Sequence, residues 1–274
     1  MKHALRRFVK APLKVFTPHD NFAVIWNFII MAFILVDTFL TPFEISFYNN
    51  DRENDLLLYS LPDLETIFFI DILINFRTAY YDKGVLVTAS KPIFMEYLRK
   101  GFAIDAIAVF ADFISTFAVN SLIWYIRAIK IIRIKKLKHI MERVEDFLNL
   151  SRSASASLKL IRLAGTILIV AHWIACIFHM IGYSNNDFRD SWLIEYRLYD
   201  KSIYERYIAA FYWAVTTMIT VGYGDIHPTN AIERIFTIGA MVVACALFGY
   251  SMSTVGSIIH EITFEKQQAR YITK

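Results

Sequence analysis

The chain has 274 residues, 56% hydrophobic, 16% aromatic and only 20% charged, with a formal net charge of +4 and a mean hydropathy of +0.41. An apolar share this far above that of a soluble domain marks an integral membrane protein, and so modest a charge does not suggest a nucleic-acid partner. Cys176 and Cys245 both fall in apolar runs, which excludes a disulfide framework and reads each as a small buried hydrophobe.

The N-terminal stretch "MKHALRRFVKAPLKVF" is basic and lacks a small-residue cleavage pattern, so residues 1–20 read as a retained cytoplasmic segment, not a signal peptide. A bilayer core takes roughly 20 mainly apolar residues per helix. Six stretches qualify: Asn21 to Thr41, Pro62 to Ala79, Gly101 to Val119, Ser121 to His139, Ser157 to Gly182 and Ala231 to His260. Basic residues precede the first, lie between the second and third and follow the fourth, while the opposite connections are richer in acid. The positive-inside rule therefore puts both termini in the cytoplasm. The lone N-x-[ST] triplet, at Asn149, then falls on the inner side.

Acids stand inside several spans: Asp37 in the first, Glu65 and Asp71 in the second, Asp105 and Asp112 in the third. Asp71 and Asp105 are mid-span and costly in lipid unless paired or hydrated. Phe68, three residues before Asp71, shares its helix face, an arrangement suited to passing basic side chains one at a time. Asp37 and Glu65 are weaker candidates, and Asp112 sits near water. The fourth span, "SLIWYIRAIKIIRIKKLKHI", supplies the bases. Arg127, Lys130, Arg133 and Lys136 recur every third residue, followed by Lys135, Lys138 and His139. That period winds the charges around an α-helix, or aligns them if the stretch tightens to 3₁₀. Each charge moved through the membrane field is worth about 2.3 kcal/mol per 100 mV, so the segment is suited to sense voltage.

In the fifth span His172 and His179 share one face and read as hydrogen-bonded packing rather than a metal site. The apolar piece Tyr207 to Ile219 is too short to cross and ends in "MITVGYGDIHP". Non-helical backbone at membrane depth must be buried in protein or line a watery cavity, which makes this piece a re-entrant helix followed by a filter. Gly222 and Gly224 permit dihedrals that let the carbonyls of Thr220, Val221, Gly222 and Tyr223 point one way, with the Thr220 hydroxyl below them. Four such strands replace the hydration shell of a potassium ion, so the motif implies a tetramer.

"TTMITVGYGD" resembles the potassium-channel signature. The order of a charged fourth span, a fifth span, pore helix, filter and sixth span is similar to that of voltage-gated channels. "FFIDILINFRTAYYDKG", "AHWIACIFHMIG" and "ERIFTIGAMVVACALFGYSMSTVGSII" resemble the cyclic-nucleotide-binding-domain group of ether-à-go-go, plant potassium and hyperpolarisation-activated channels. The resemblance implies that Thr220 to Gly224 form the selectivity filter. Tyr212 and Trp213 buttress it, and Asp225 caps it with a hydrogen bond to Tyr212. It implies a charge-transfer site at Phe68, Asp71 and Asp105, and an inner gate at Phe248, Met252, Val255 and Ile259, whose alternative is packing on the fifth span. Gly239, Gly249 and Gly256 are hinge or close-approach candidates.

Three departures stand out. Ile219 replaces a hydroxyl residue, Ala244 replaces a glycine, and the chain ends at "HEITFEKQQARYITK", where relatives continue into a cyclic-nucleotide-binding domain.

The resulting expectation is an all-α integral membrane protein of six transmembrane helices, tetrameric, in the plasma membrane. Residues 21–140 form a four-helix voltage sensor, 141–156 a linker, 157–260 a two-helix pore and 261–274 the start of a cytoplasmic linker. The function expected is voltage-gated, potassium-selective conduction by a homotetramer, with potassium as permeant ion and no cofactor. A non-selective or cyclic-nucleotide-modulated cation channel is the alternative. A transporter lacks its inverted repeats here, and charge pairing explains Asp71 and Asp105 more simply than catalysis does. Because no long amphipathic linker helix follows the fourth span, each sensor is expected to pack on its own subunit's pore.

Overall fold

A computed structural model describes residues 15–18, 20–47, 64–117, 125–137, 140–141, 152–184 and 190–272. Helix α1, Asn21–Phe47, carries Pro42 in its interior. Helix α2 is Leu64–Asn75, α3 is Ser90–Lys100 and α4 is Phe102–Phe117. A 3₁₀ helix, Tyr125–Arg133, follows. Then come α5, Arg152–Ser184, the single turn α6, Trp192–Glu195, α7, Ile203–Met218, and α8, Ala231–Ile272.

Among the described residues three helical stretches are long and apolar enough to cross a bilayer: Asn21–Phe47, Ala154–Ser184 and Ala231–His260. Thr66–Asn75 and Phe102–Ala111 are apolar but shorter.

Helix α2 ends at Asn75, short of the Ala79 that hydropathy suggests for the expected second span. After Asn75 the chain turns, and Phe16 bridges to Thr78. An antiparallel hairpin of β1, Tyr80–Asp82, and β2, Val85–Val87, follows in register Tyr81↔Leu86. Its turn places Lys83 at φ 48° and Gly84 at φ 83°, the paired positive angles that match strand twist in a two-residue hairpin. Among the described residues the chain is therefore mainly helical with one small hairpin, not helical throughout.

Two cores organise the chain. One joins Ile30 and Ile34 of α1 to Phe68 of α2 and Ile140. The other joins α5, α6, α7 and α8 through Phe178, Trp192, Trp213, Ala214, Ala240 and Ala244. In the second core Phe178 stacks on Trp192 at 4.7 Å and on Trp213 at 3.7 Å. Gly182 admits Trp192 so closely that an added Cβ would lie 2.4 Å from Nε1. Helix α7 opens with a capping box, in which the Ser202 side chain accepts the Glu205 amide and Glu205 accepts the Ser202 amide. The Ser202 hydrogen bonds hold the Glu205 carboxyl below its usual range.

Helix α1 lies between the charged 3₁₀ helix and α5 of the same chain. Phe39, Phe43 and Phe47, one turn apart, face α5 and α7: Phe39 stacks on His172 at 3.9 Å, Phe47 on His179 at 3.7 Å, and Phe43 meets Tyr207 edge-on at 5.3 Å.

Candidate functional site

The period-three charges run from the 3₁₀ helix into the helical turn that follows. With three residues per turn, side chains three apart eclipse, so Arg127, Lys130 and Arg133 line one edge and find acids along α1. Arg127 Nη1 donates to Glu44 Oε2 at 3.2 Å. Lys130 Nζ stands 3.7 Å from Asp37 Oδ1, and Arg133 Nη1 donates to Asp37 Oδ2 at 3.2 Å.

Lys136 reaches the other acids. It bonds Asp71, and donates to Asp105 Oδ2 at 2.8 Å. Both carboxylates are held in place: Asp71 accepts from Trp26 Nε1 and Asn75 Nδ2, each at 2.9 Å, and Asp105 accepts from the Tyr97 hydroxyl at 2.7 Å. Phe68 is buried beneath Arg133, whose Cζ lies 3.9 Å from the ring centroid. The structure thus brings Phe68, Asp71 and Asp105 together around Arg133 and Lys136. The side chains of Glu65 and Asp112, and residues Lys138 and His139, lie outside those described.

The second site begins where α7 ends. Thr216 O accepts both the Val221 amide at 2.9 Å and the Gly222 amide at 3.2 Å, which ties the following strand to the helix C-terminus. Positive φ recurs at every second residue: Thr220 61°, Gly222 59° and Gly224 76°. Open space surrounds both glycines, so their identity answers the backbone angle and not a close approach. A β-branched residue at positive φ is a genuine outlier, and Thr220 is held there by the surrounding turn. The strand lies on the chain's exterior, with Val221 and Tyr223 exposed.

Behind the strand, the Tyr212 hydroxyl donates to Asp225 Oδ2 at 2.8 Å. Trp213 is buried and stacked on Phe178. His227 Nδ1 meets the Tyr196 hydroxyl at 2.5 Å. Along α8, Phe248, Met252 and Ile259 are more than half exposed, while Ala240, Ala244 and Ile258 are buried. The inward face of α8 is therefore the alanine face, and Phe248, Met252 and Ile259 point away from α5. Gly239, Gly249 and Gly256 lie inside the same uninterrupted helix.

Two groups, Glu44 and Glu233, escaped the sequence reading, and a third, Asp37, was ranked too low. Glu44 is the partner of Arg127. Asp37, read as secondary to Asp71, meets two cations. Glu233, fully buried in the first turn of α8, accepts from Trp192 N at 3.2 Å, Thr229 N at 2.8 Å and Thr229 Oγ1 at 3.2 Å. Asn230 caps the same turn by accepting the Glu233 amide at 2.9 Å. The signal for this last group was present as Asn230-x-x-Glu233, a capping-box spacing.

His172 and His179 hold α5 to α1. His172 Nε2 donates to Phe39 O at 2.8 Å and its Nδ1 accepts from Tyr207 at 3.0 Å. His179 Nδ1 bonds Ser46 Oγ at 2.9 Å, and Ser46 donates onward to Cys176 O at 2.7 Å. Among the described residues no cluster of three or more metal-type ligands occurs.

Similarity to known proteins runs through the whole arrangement. The potassium voltage-gated channel protein eag of Drosophila melanogaster is 28% identical over 93% of this chain and 23% of its own length. Potassium channel AKT1 of Arabidopsis thaliana is 26% identical over 93% of this chain and 29% of its own. The human voltage-gated delayed rectifier potassium channel KCNH5 is 25% identical over 92% and 28%. The chain thus spans about a quarter of the length of these relatives. The ion transport protein family matches residues 23–267, from the start of α1 through the charged helix and the glycine strand nearly to the end of α8, and the chain belongs to that family.

Proposed function

We propose that the chain is the membrane part of a voltage-gated, potassium-selective channel. The observation that carries this reading is the strand Thr220 to Gly224, whose φ is positive at alternate residues. Such alternation orients successive carbonyls of Thr220, Val221, Gly222 and Tyr223 to one side, where four copies would replace an ion's water shell. The exposure of that strand on a single chain suits a ring shared by four subunits. Arg127, Lys130, Arg133 and Lys136 serve as gating charges, with Phe68, Asp71 and Asp105 as the site through which they pass. Phe248, Met252, Val255 and Ile259 line or close the inner pore, an assignment supported by the exposure of Phe248, Met252 and Ile259.

The same reading completes the architecture as six crossings with both termini cytoplasmic, in the plasma membrane. Residues 21–140 are the sensor and 157–260 the pore. Packing of α1 on α5 of its own chain supports a sensor docked on the pore of its own subunit. The relatives' names as potassium channels support the choice of ion.

The test is the reversal potential of the expressed chain under voltage steps in mixed potassium and sodium solutions. A value tracking the potassium equilibrium potential, with voltage-switched current, is expected. A reversal near zero would hand the assignment to a non-selective cation channel, and modulation by added cyclic nucleotide would identify the regulated variant of that architecture.

A further inference from the structure

Pro42 stands in the interior of α1. A proline there has no N–H to give to the carbonyl four residues earlier, and its ring crowds that carbonyl out of line. The carbonyl concerned belongs to Thr38, and it is buried. In a membrane such a freed group must be satisfied by a neighbour. The neighbour is Trp173 of α5, whose Nε1 donates to Thr38 O at 3.1 Å. The next carbonyl, Phe39 O, takes a second donor from the same helix, His172 Nε2 at 2.8 Å, and the other nitrogen of that ring is bonded to Tyr207 of α7 at 3.0 Å. One residue before Thr38 is Asp37, which holds Arg133 and Lys130.

Three consecutive residues therefore carry three different loads. Asp37 faces the charged 3₁₀ helix, Thr38 is bonded to α5, and Phe39 is bonded through His172 to the helix that precedes the glycine strand. We infer that this turn of α1, opened by Pro42, transmits the position of the gating charges to the pore of the same subunit. This route is separate from the covalent connection between the fourth and fifth spans. When Arg133 and Lys130 leave Asp37, the turn loses the charges that fix its 3₁₀-facing side, and the Trp173 and His172 bonds deliver the change to α5 and α7. Trp173, His172 and Pro42 act as positioning residues in this scheme; none of them touches the ion or carries gating charge.

The inference rests on the channel reading above, and one experiment separates the two. Charge movement and pore opening are recorded against voltage in the same patch, for the full chain and for Trp173→Phe, Pro42→Ala and the double variant. Trp173→Phe keeps an aromatic side chain and removes the N–H donor; Pro42→Ala gives Thr38 O its helical donor back and so competes with Trp173. In each single variant the opening curve is expected to shift along the voltage axis away from the charge-movement curve. The double variant should part no further than either single, because both act on one carbonyl. Curves that move together, curves that do not move, or shifts that add would overturn the inference. Where Trp173→Phe does not reach the membrane, Pro42→Ala decides, since alanine suits the helix better than proline. An unsubstituted chain with no voltage-switched current would instead sink the channel reading itself.

Discussion

Arg133 lies over the face of Phe68, 3.9 Å from the ring centroid, so a buried cation is held at once by a π face and by the Asp37 carboxylate at 3.2 Å. A Trp face binds a cation more strongly than Phe, within a range of about 0.5–2 kcal/mol. Phe68→Trp should therefore demand a stronger field to dislodge Arg133, displacing the charge-movement midpoint by tens of millivolts at about 2.3 kcal/mol per charge per 100 mV. Phe68→Leu should displace it the other way. Gating-current midpoints that stay together across the three side chains would contradict this.

Asp37 and the pair Asp71 and Asp105 should differ in what their loss costs. Asp37→Asn weakens two charge pairs at once, those with Lys130 and Arg133, and should cost the most, about 3–5 kcal/mol. Lys136 is bonded to both Asp71 and Asp105, so either single Asn leaves it a counter-charge and should cost less, about 1–3 kcal/mol. The double substitution should exceed the sum of the singles. Thermal unfolding of the purified protein in micelles gives the ranking, and equal losses at all three positions would refute it.

Gly182→Ala sets a Cβ 2.4 Å from Trp192 Nε1 and 2.7 Å from its Cδ1. Because Trp192 is stacked on Phe178 and Phe178 on Trp213, the indole has no free direction. Overpacking of this kind costs about 1–3 kcal/mol and should lower the melting temperature while breaking the bond from Trp192 Nε1 to Phe178 O. An unchanged melting temperature would mean that the stack slides freely.

Glu233 is bonded to the amides of Trp192 and Thr229 by charge-assisted hydrogen bonds. Glu233→Gln turns one acceptor into a donor facing donors, at a cost of about 1–3 kcal/mol. Hydrogen exchange at the Trp192 and Thr229 amides should then speed by about tenfold or more, with amides of α2 unaffected. Equal exchange before and after would show that these amides do not depend on the carboxylate.

Met252 is exposed on α8 and should accept thiol reagents as Met252→Cys in a Cys245→Ser background, since Cys245 is itself exposed. Ala244→Cys, buried beside the second core, should not react. Reaction of both at one rate would overturn the assignment of faces on α8.

What the sequence revealed was what local pattern encodes. Hydropathy located α1, α5 and α8, the period of three announced the charge row, and the glycine spacing of Thr220 to Gly224 announced its backbone. The rest depends on partners far along the chain. Asp37 stood among the acids that a charge of the expected fourth span could meet, yet nothing near it indicates that the charge is Arg133, 96 residues on, and Glu44 gave no sign of Arg127. Nothing beside Pro42 announces the donor that fills its gap, because that donor, Trp173, comes from another helix. The hairpin was within reach, since "YYDKGVLV" has β-rich flanks and a glycine turn, yet hydropathy alone carried the second span through to Ala79.

The helix type of the charge row has a mechanical consequence of its own. Nine residues, Tyr125–Arg133, are wound as 3₁₀. At about 2.0 Å per residue against 1.5 Å in an α-helix, the segment is about 4.5 Å longer than its relaxed form. Rewinding would pull one end toward the other by nearly a full helical pitch and swing Arg127, Lys130 and Arg133 out of line. Each charge would then quit its acid at a different moment. On the proposed channel reading the segment would work as a stretched spring whose recoil releases the charges in sequence.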